Sequence, residues 1–112
     1  LVGPEELLAE TLLMGGYGGI CGGANIFPRL YVDLYNAAVA GDLARTRDLH
    51  KKVMWISTTI YSTGRYNSSF LKGVKSALNL MGICSDFIES PFHCFREQEK
   101  GKIRTYLQQF SY

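Results

Sequence analysis

No apolar run in this chain reaches the roughly 18 residues that a membrane-spanning helix requires. The first eight residues, LVGPEELL, hold Pro4, Glu5 and Glu6 and no basic start, so they do not read as a secretory signal. Charge of one sign is also missing. Lys and Arg number 12 against 10 Asp and Glu, a net charge of +2, and no basic run interleaves with aromatics. That gives no ground for a nucleic-acid partner. Cysteine is scarce: Cys21, Cys84 and Cys94 are odd in number and unpatterned. This argues against a disulfide scaffold and sets the expectation of free, buried thiols in a reducing, cytoplasmic setting. Histidine is scarcer still. His93 and Cys94 are adjacent, Cys84 stands well before them and His50 is remote, so no zinc spacing forms and no metal site is expected. No Gly-Lys-Ser/Thr of a phosphate-binding loop occurs. Gly16 and Gly18 begin a G-x-G, but the third glycine position of a dinucleotide fingerprint falls on Cys21. No Ser-His-Asp or Cys-His arrangement can be argued from spacing. The chain begins at Leu1 without an initiator Met, which sets the expectation of processing or of the tail of a longer protein.

Glycine, by contrast, is concentrated. The chain is organised around residues 15–28, GGYGGICGGANIFP, in which six of the nine positions from 15 to 23 are glycine. A flexible linker of this composition would carry Ser, Thr or charge. This one carries Tyr17, Ile20 and Cys21 and runs into Asn25 and Pro28. The pattern predicts a helix end, a tight turn, a short buried strand at residues 19–21, a glycine-lined loop and a helix start, with backbone passing close to other strands or to a ligand.

The remaining elements follow from periodicity and punctuation. Residues 1–3 read as a strand end. Pro4 opens a helix with Glu5 and Glu6 in its first turn and Leu7, Leu8, Thr11 and Leu12 along one stripe. Pro28 opens a second helix, with Leu30, Leu34 and Ala37 or Ala38 inward, and Gly41 stops it. Asp42 caps a third, long helix over about residues 43–63, with Leu43, Thr46, Leu49, Val53, Ile56 and Ile60 as its stripe. On that third helix His50 is the alternative to Leu49 in the stripe. A fourth is expected over 69–81, with Phe70, Leu71, Val74, Leu78 and Met81 inward. Residues 83–94 read as an irregular connection, and a last helix spans about 95–110 despite Gly101. A strand and a strand stub cannot make a sheet alone. The pattern therefore predicts the carboxyl-terminal part of a larger α/β fold with an appended helical layer.

Three features carry possible chemistry. The glycine stretch is either a tight turn with close strand packing or a ligand-facing loop after a strand, where α/β barrels place their chemistry. Glu5 and Glu6 are a helix-dipole pair, or a carboxylate pair at the mouth of a strand. Lys75, between Val74 and Ala77 on an apolar helix, is a candidate Schiff-base amine, but lysines commonly snorkel from half-buried helix faces.

The succession of Gly3-Pro4-Glu5-Glu6, residues 15–28, AGDLAR at 40–45, LKGVKSALNLMG at 71–82 and SPF at 90–92 resembles the carboxyl-terminal portion of the dihydrodipicolinate synthase / N-acetylneuraminate lyase family. The resemblance covers nearly the whole chain. It implies the last two strands and helices of a (β/α)8 TIM barrel in residues 1–40 and a helical extension in 41–112. It implies a cytoplasmic homo-oligomer, tetramer or dimer, acting on a 2-keto acid. The chemistry implied is class I aldolase chemistry: a lysine forms an imine with pyruvate, and the adjacent carbon–carbon bond is made or broken without a separate cofactor. That lysine and a proton-transferring tyrosine belong to earlier strands, upstream of Leu1, so the chain alone is expected to be inactive. Lys75 matches a helix lysine, not the nucleophile. Gly3 and Glu5 match pocket-lining positions after the seventh strand. Ile20 matches the eighth-strand residue whose backbone faces pyruvate, and Gly22 a small residue bordering the substrate. Gly22 and Gly23 stand where some members have Val-Thr or Ser-Thr. That favours, among substrates, a 2-keto-3-deoxy sugar acid with Glu5 accepting its hydroxyls, over condensation of pyruvate with an aldehyde. The rivals are a non-catalytic helical interaction module and a barrel homologue that has lost catalysis.

Overall fold

Proline and glycine punctuate the chain where the sequence places them. The computed structural model describes residues Leu1–Tyr112. Five helices follow in order: α1 (Leu8–Leu13), α2 (Pro28–Val39), α3 (Leu43–Thr59), α4 (Ser69–Leu80) and α5 (Glu97–Gln109). Short 3-10 turns at Glu5–Leu7 and Gly22–Asn25 precede α1 and α2. Gly15, Gly41 and Gly82 take φ of +90°, +74° and +75° just beyond α1, α2 and α4. Left-handed backbone is open to glycine at little cost, so each ends its helix cleanly. The Asp42 side chain accepts the Arg45 N–H at 3.0 Å and caps α3.

The chain divides into two compact units, residues Leu1–Trp55 with Tyr112, and Ile56–Ser111. In the first, Leu8, Leu12, Leu30, Leu34, Leu49 and Val53 are buried. In the second, Ile56, Ile60, Val74, Ala77 and Ile103 are buried. No strand forms. The strand expected at 19–21 is a single parallel bridge between Val2 and Gly19. Ile20, expected to be buried on both faces, is 75% exposed. One bridge offers no neighbouring strand to cover a side chain or to extend the ladder.

Three further expectations are corrected. α3 ends at Thr59 and not near residue 63. The hydroxyls of Ser62 and Thr63 donate to the carbonyls of Ser57 and Thr59, and the Tyr61 N–H reaches back to Ile56 at 3.3 Å. Side chains thus take carbonyls that a continuing helix would use. The thiols are free but not buried: Cys84 is exposed, and Cys21 and Cys94 are half-buried. On α4 the large residues Phe70, Leu71 and Met81 are 44%, 40% and 43% exposed, and Leu43 of α3 also faces out. The inward face of α4 is instead Ser69, Lys72, Gly73, Val74, Ser76 and Ala77. Its small residues recur every three or four positions, and Gly73 lies directly against the Ile60 carbonyl. Close backbone approach, not side-chain size, sets the rotation of this helix.

The irregular segment between α4 and α5 is held by a polar knot. Lys100 Nζ donates to Asn79 Oδ1 at 2.6 Å and to Asp86 Oδ2 at 2.8 Å, and Asn79 Nδ2 donates to the Cys84 carbonyl at 3.1 Å. The hydrogen bond from Lys100 holds the Asp86 carboxyl below the ordinary aspartate range.

Two glycines on helices make opposite predictions. A Cβ on Gly73 would run into the Ile60 carbonyl oxygen, with the carbonyl carbon 3.1 Å away. Gly73→Ala should therefore destabilise by about 1–3 kcal/mol through overpacking, although alanine is the better helix former. Gly101 has nothing within 4 Å of such an atom. Gly101→Ala should stabilise by about 0.5–1 kcal/mol. Denaturant midpoints of the two variants check both signs.

Candidate functional site

Parallel pairing puts the ends of two chain segments side by side. The Val2 N–H donates to the Gly18 carbonyl at 2.9 Å, and the Ile20 N–H donates to the Val2 carbonyl at 2.9 Å. Both segments run the same way, so Gly3 and Ile20 emerge at the same end. Each is followed at once by a 3-10 turn. Glycine at 19 permits this approach: a Cβ there would sit 3.1 Å from the Val2 carbonyl oxygen, from Leu8 Cδ1 and from Cys21 Sγ. Gly18 takes a φ of +148° to enter the pairing. The tight-packing reading of the glycine stretch is thus realised at these two positions.

Glu5 joins the two turns. It is 3% exposed, and its Oε2 accepts the Gly23 N–H at 2.8 Å. Its Oε1 is buried and has no hydrogen-bond partner. The receiving turn is internally fixed. Ala24 N–H donates to Cys21, Ile26 and Phe27 N–H both donate to Gly23, and Asn25 Nδ2 donates to the Gly22 carbonyl at 2.9 Å. Of the four residues singled out from the sequence, Gly3 is exposed, Glu5 buried, Ile20 exposed and Gly22 half-buried. The bridge and the Glu5 clamp bring their backbones onto adjoining turns. Lys75 is half-buried on α4, in the other unit. No three His, Cys, Asp or Glu side chains gather as metal ligands.

Two participants were not anticipated. Gly23 matters through its N–H, and the only signal for it is a glycine pair after the strand end. Cys21 matters because its thiol shares the local field of the carboxylates. Burial first, then Glu5 and Glu6, push its pKa up to about 11. Beside these turns a hollow of about 390 Å³ opens, lined by Tyr17, Gly18, Cys21, Tyr31 and Tyr35 among others.

Cys21 should therefore stay a protonated, sluggish thiol at about pH 8, where exposed Cys84 alkylates first. Its alkylation rate should climb only as pH approaches 11. Glu5→Gln removes one of the charges that hold the pKa up, so Cys21 should react faster at a given pH. An unchanged rate, read by mass spectrometry of labelled peptides, would separate Glu5 from this thiol. Glu5→Ala should also leave the Gly23 amide without its acceptor and speed its hydrogen exchange by about ten- to hundredfold.

Comparison with known proteins places this arrangement. A model of the Dihydrodipicolinate synthetase family matches residues 1–110. The 4-hydroxy-tetrahydrodipicolinate synthase of Geobacter sulfurreducens is 32% identical over 114 residues, which is 98% of this chain and 36% of that protein. Among solved structures, dihydrodipicolinate synthase from Bacteroides thetaiotaomicron superposes with a TM-score of 0.95 at 56% identity, over 97% of this chain and 37% of the other. YagE from Escherichia coli K12, determined in complex with pyruvate, gives 0.84 at 31% identity, over 97% and 36%. The chain thus spans 36% or 37% of the length of these relatives. With the family model matched almost end to end, the chain belongs to the dihydrodipicolinate synthetase family.

Proposed function

We propose that this chain is the carboxyl-terminal third of a pyruvate-dependent class I aldolase or lyase. Residues 1–40 would carry the ends of the last two strands of a (β/α)8 barrel, and residues 41–112 the appended helical layer. The observation that carries this reading is the parallel Val2–Gly19 bridge, with Gly3 and Ile20 at one end and Glu5 fastening the turns beyond it. Barrel enzymes build their sites from the turns that follow strand ends. A second support is the apolar surface around the bridge. Leu1, Tyr17 and Ile20 are 80%, 89% and 75% exposed, a pattern expected where further strands would cover them.

In the intact protein a lysine from an earlier strand would attack the keto carbon of pyruvate and lose water to form an imine. The imine withdraws electrons from the adjacent methyl group, which then loses a proton and adds to an aldehyde, or the reverse occurs in cleavage. No separate cofactor is required, because the imine is itself the electron sink. The part assigned to this chain is to shape the wall. The Ile20 carbonyl accepts no backbone hydrogen bond in the bridge and is free to face the ligand, and Gly22 keeps the adjoining space open. The assembly assigned to the intact protein is a cytoplasmic dimer or tetramer. No helix of the chain is long and apolar enough to cross a membrane.

Two substrates compete. Cleavage of a 2-keto-3-deoxy sugar acid asks Glu5 to accept substrate hydroxyls. One Glu5 oxygen is already occupied by Gly23, and the residue is 3% exposed. Similarity to proteins named as synthases spans nearly the whole chain. Condensation of pyruvate with an aldehyde is therefore placed first. The sugar-acid reading stays second because Glu5 Oε1 still lacks a donor.

The intact protein, treated with pyruvate and borohydride, should acquire one reduced pyruvate adduct on a lysine outside this chain. No adduct would overturn the aldolase reading in favour of a barrel that has lost catalysis. Gly22→Val should narrow the accepted aldehydes while leaving pyruvate trapping intact. An unchanged aldehyde profile would confine Gly22 to packing.

A further inference from the structure

The peptide between Gly22 and Gly23 has glycine on both sides. Neither residue carries a Cβ, so this plane can turn over, exchanging the places of its N–H and its carbonyl, without the steric cost that other residues impose. In this chain both polar ends of the plane are held by side chains. The Gly23 N–H donates to Glu5 Oε2 at 2.8 Å, and the Gly22 carbonyl accepts from Asn25 Nδ2 at 2.9 Å. The N–H end has no substitute partner. It lies in the opening of a 3-10 turn, where no carbonyl of the turn is within reach, and it makes no backbone hydrogen bond. The next peptide is tied by backbone instead. The Ala24 N–H donates to the Cys21 carbonyl at 3.2 Å, and the Ile26 and Phe27 N–H groups both reach the Gly23 carbonyl at 2.9 Å. A side-chain change can therefore untie the Gly22–Gly23 plane and leave the rest of the turn bonded.

Glu5 discriminates between the two orientations of the plane. An ionised carboxylate only accepts. A flipped plane would set the Gly22 carbonyl oxygen against Oε2, acceptor against acceptor, at a residue that is 3% exposed. Reach matters as well as chemistry. Aspartate is one methylene shorter and draws its oxygens back from Gly23, whereas glutamine keeps an accepting oxygen at the same length. With Oε1 also buried, Glu5 influences its surroundings through this peptide.

We infer that Glu5 and Asn25 are positioning residues, which lock the Gly22–Gly23 peptide and so hold the wall that Ile20 and Gly22 present to the pyruvate imine. The inference rests on the aldolase reading proposed above, which places Ile20 and Gly22 beside the substrate. It gives Glu5 no contact with that substrate. The step it concerns is the one after imine formation, in which the methyl group of bound pyruvate gives up a proton. A wall that flips leaves the imine less often in the geometry for that transfer.

The test uses the intact protein with pyruvate alone in deuterium oxide. Loss of a methyl proton and return of a deuteron is followed by proton NMR, and imine formation by borohydride trapping. Glu5→Asp should slow methyl exchange by about ten- to hundredfold at saturating pyruvate, with the trapped adduct retained. Glu5→Gln should stay within about threefold of wild type, because a neutral acceptor still meets the Gly23 N–H. Asn25→Ala, at an exposed position that keeps the fold, should slow exchange by about three- to tenfold and guards against a Glu5→Asp protein that does not fold. The double variant should fall no more than about threefold below Glu5→Asp, since both residues act on one plane. A wild type that neither traps nor exchanges pyruvate would overturn the aldolase reading and this inference with it. A wild type that does both, beside Glu5→Asp and Asn25→Ala variants that exchange as fast, would overturn the lock alone. So would Glu5→Gln as slow as Glu5→Asp, which would put the carboxylate charge itself to work.

Discussion

The hydrogen bond from the Gly23 N–H to Glu5 Oε2, 2.8 Å long, is the constraint on which the candidate site depends. A two-bond parallel pairing is marginal by itself, because nothing in the ladder extends it. Glu5 adds a third tie between the same two stretches of chain, 18 residues apart. Burying a carboxylate is costly, and a backbone donor offsets that cost only in part. The geometry is therefore tightly specified: Glu5 tolerates burial only where Gly23 presents its N–H. That condition fixes the Gly22–Asn25 turn, which lies just before α2. The high thiol pKa of Cys21 comes first from its own burial and then from the Glu5 and Glu6 charges beside it.

Glycine does two different jobs here, and each has its own physical cause. At Gly15, Gly41 and Gly82 it supplies positive φ and ends helices. At Gly19 and Gly73 it removes a Cβ where backbone passes backbone. At Gly101 it does neither, and the burial of Ile103, two residues on, anchors α5 instead. Only the first job leaves a local signature, since a helix stripe visibly stops at the glycine. The second is set by a partner far along the chain.

That distinction explains what was legible in the sequence. The bounds of α2 follow from Pro28 and Gly41, and the start of α3 from Asp42, because caps and breakers act within a turn of the backbone. The inward faces of α2 and α3 follow from Leu30, Leu34, Leu49, Val53 and Ile56, which are both large and correctly spaced. On α4 the two cues conflict. Phe70 and Leu71 are large but outward, while Gly73, Ser76 and Ala77 are small and inward. Hydrophobic periodicity weighs size, so it selects the wrong face when close backbone approach decides. The short strand expected at 19–21 shrinks to one bridge for a related reason. Its apolar run reports what a strand would bury in company, whereas Ile20 in this chain is 75% exposed. Gly3, Ile20 and Gly22 enter as candidates only through family resemblance, and the pairing of Glu5 with Gly23 does not enter at all. A hydrogen bond between a side chain and a distant amide leaves no period or motif.

Glu5 is a buried carboxylate that this chain matches only in part. One of its oxygens is bonded and the other has no partner. Folding energetics alone disfavour it, since an apolar residue of similar size would relieve the desolvation cost. What that residue could not do is accept the Gly23 N–H and tie the two strand-end turns together. Glu5 is half satisfied by a backbone group that every residue but proline could supply, so its first duty is architectural.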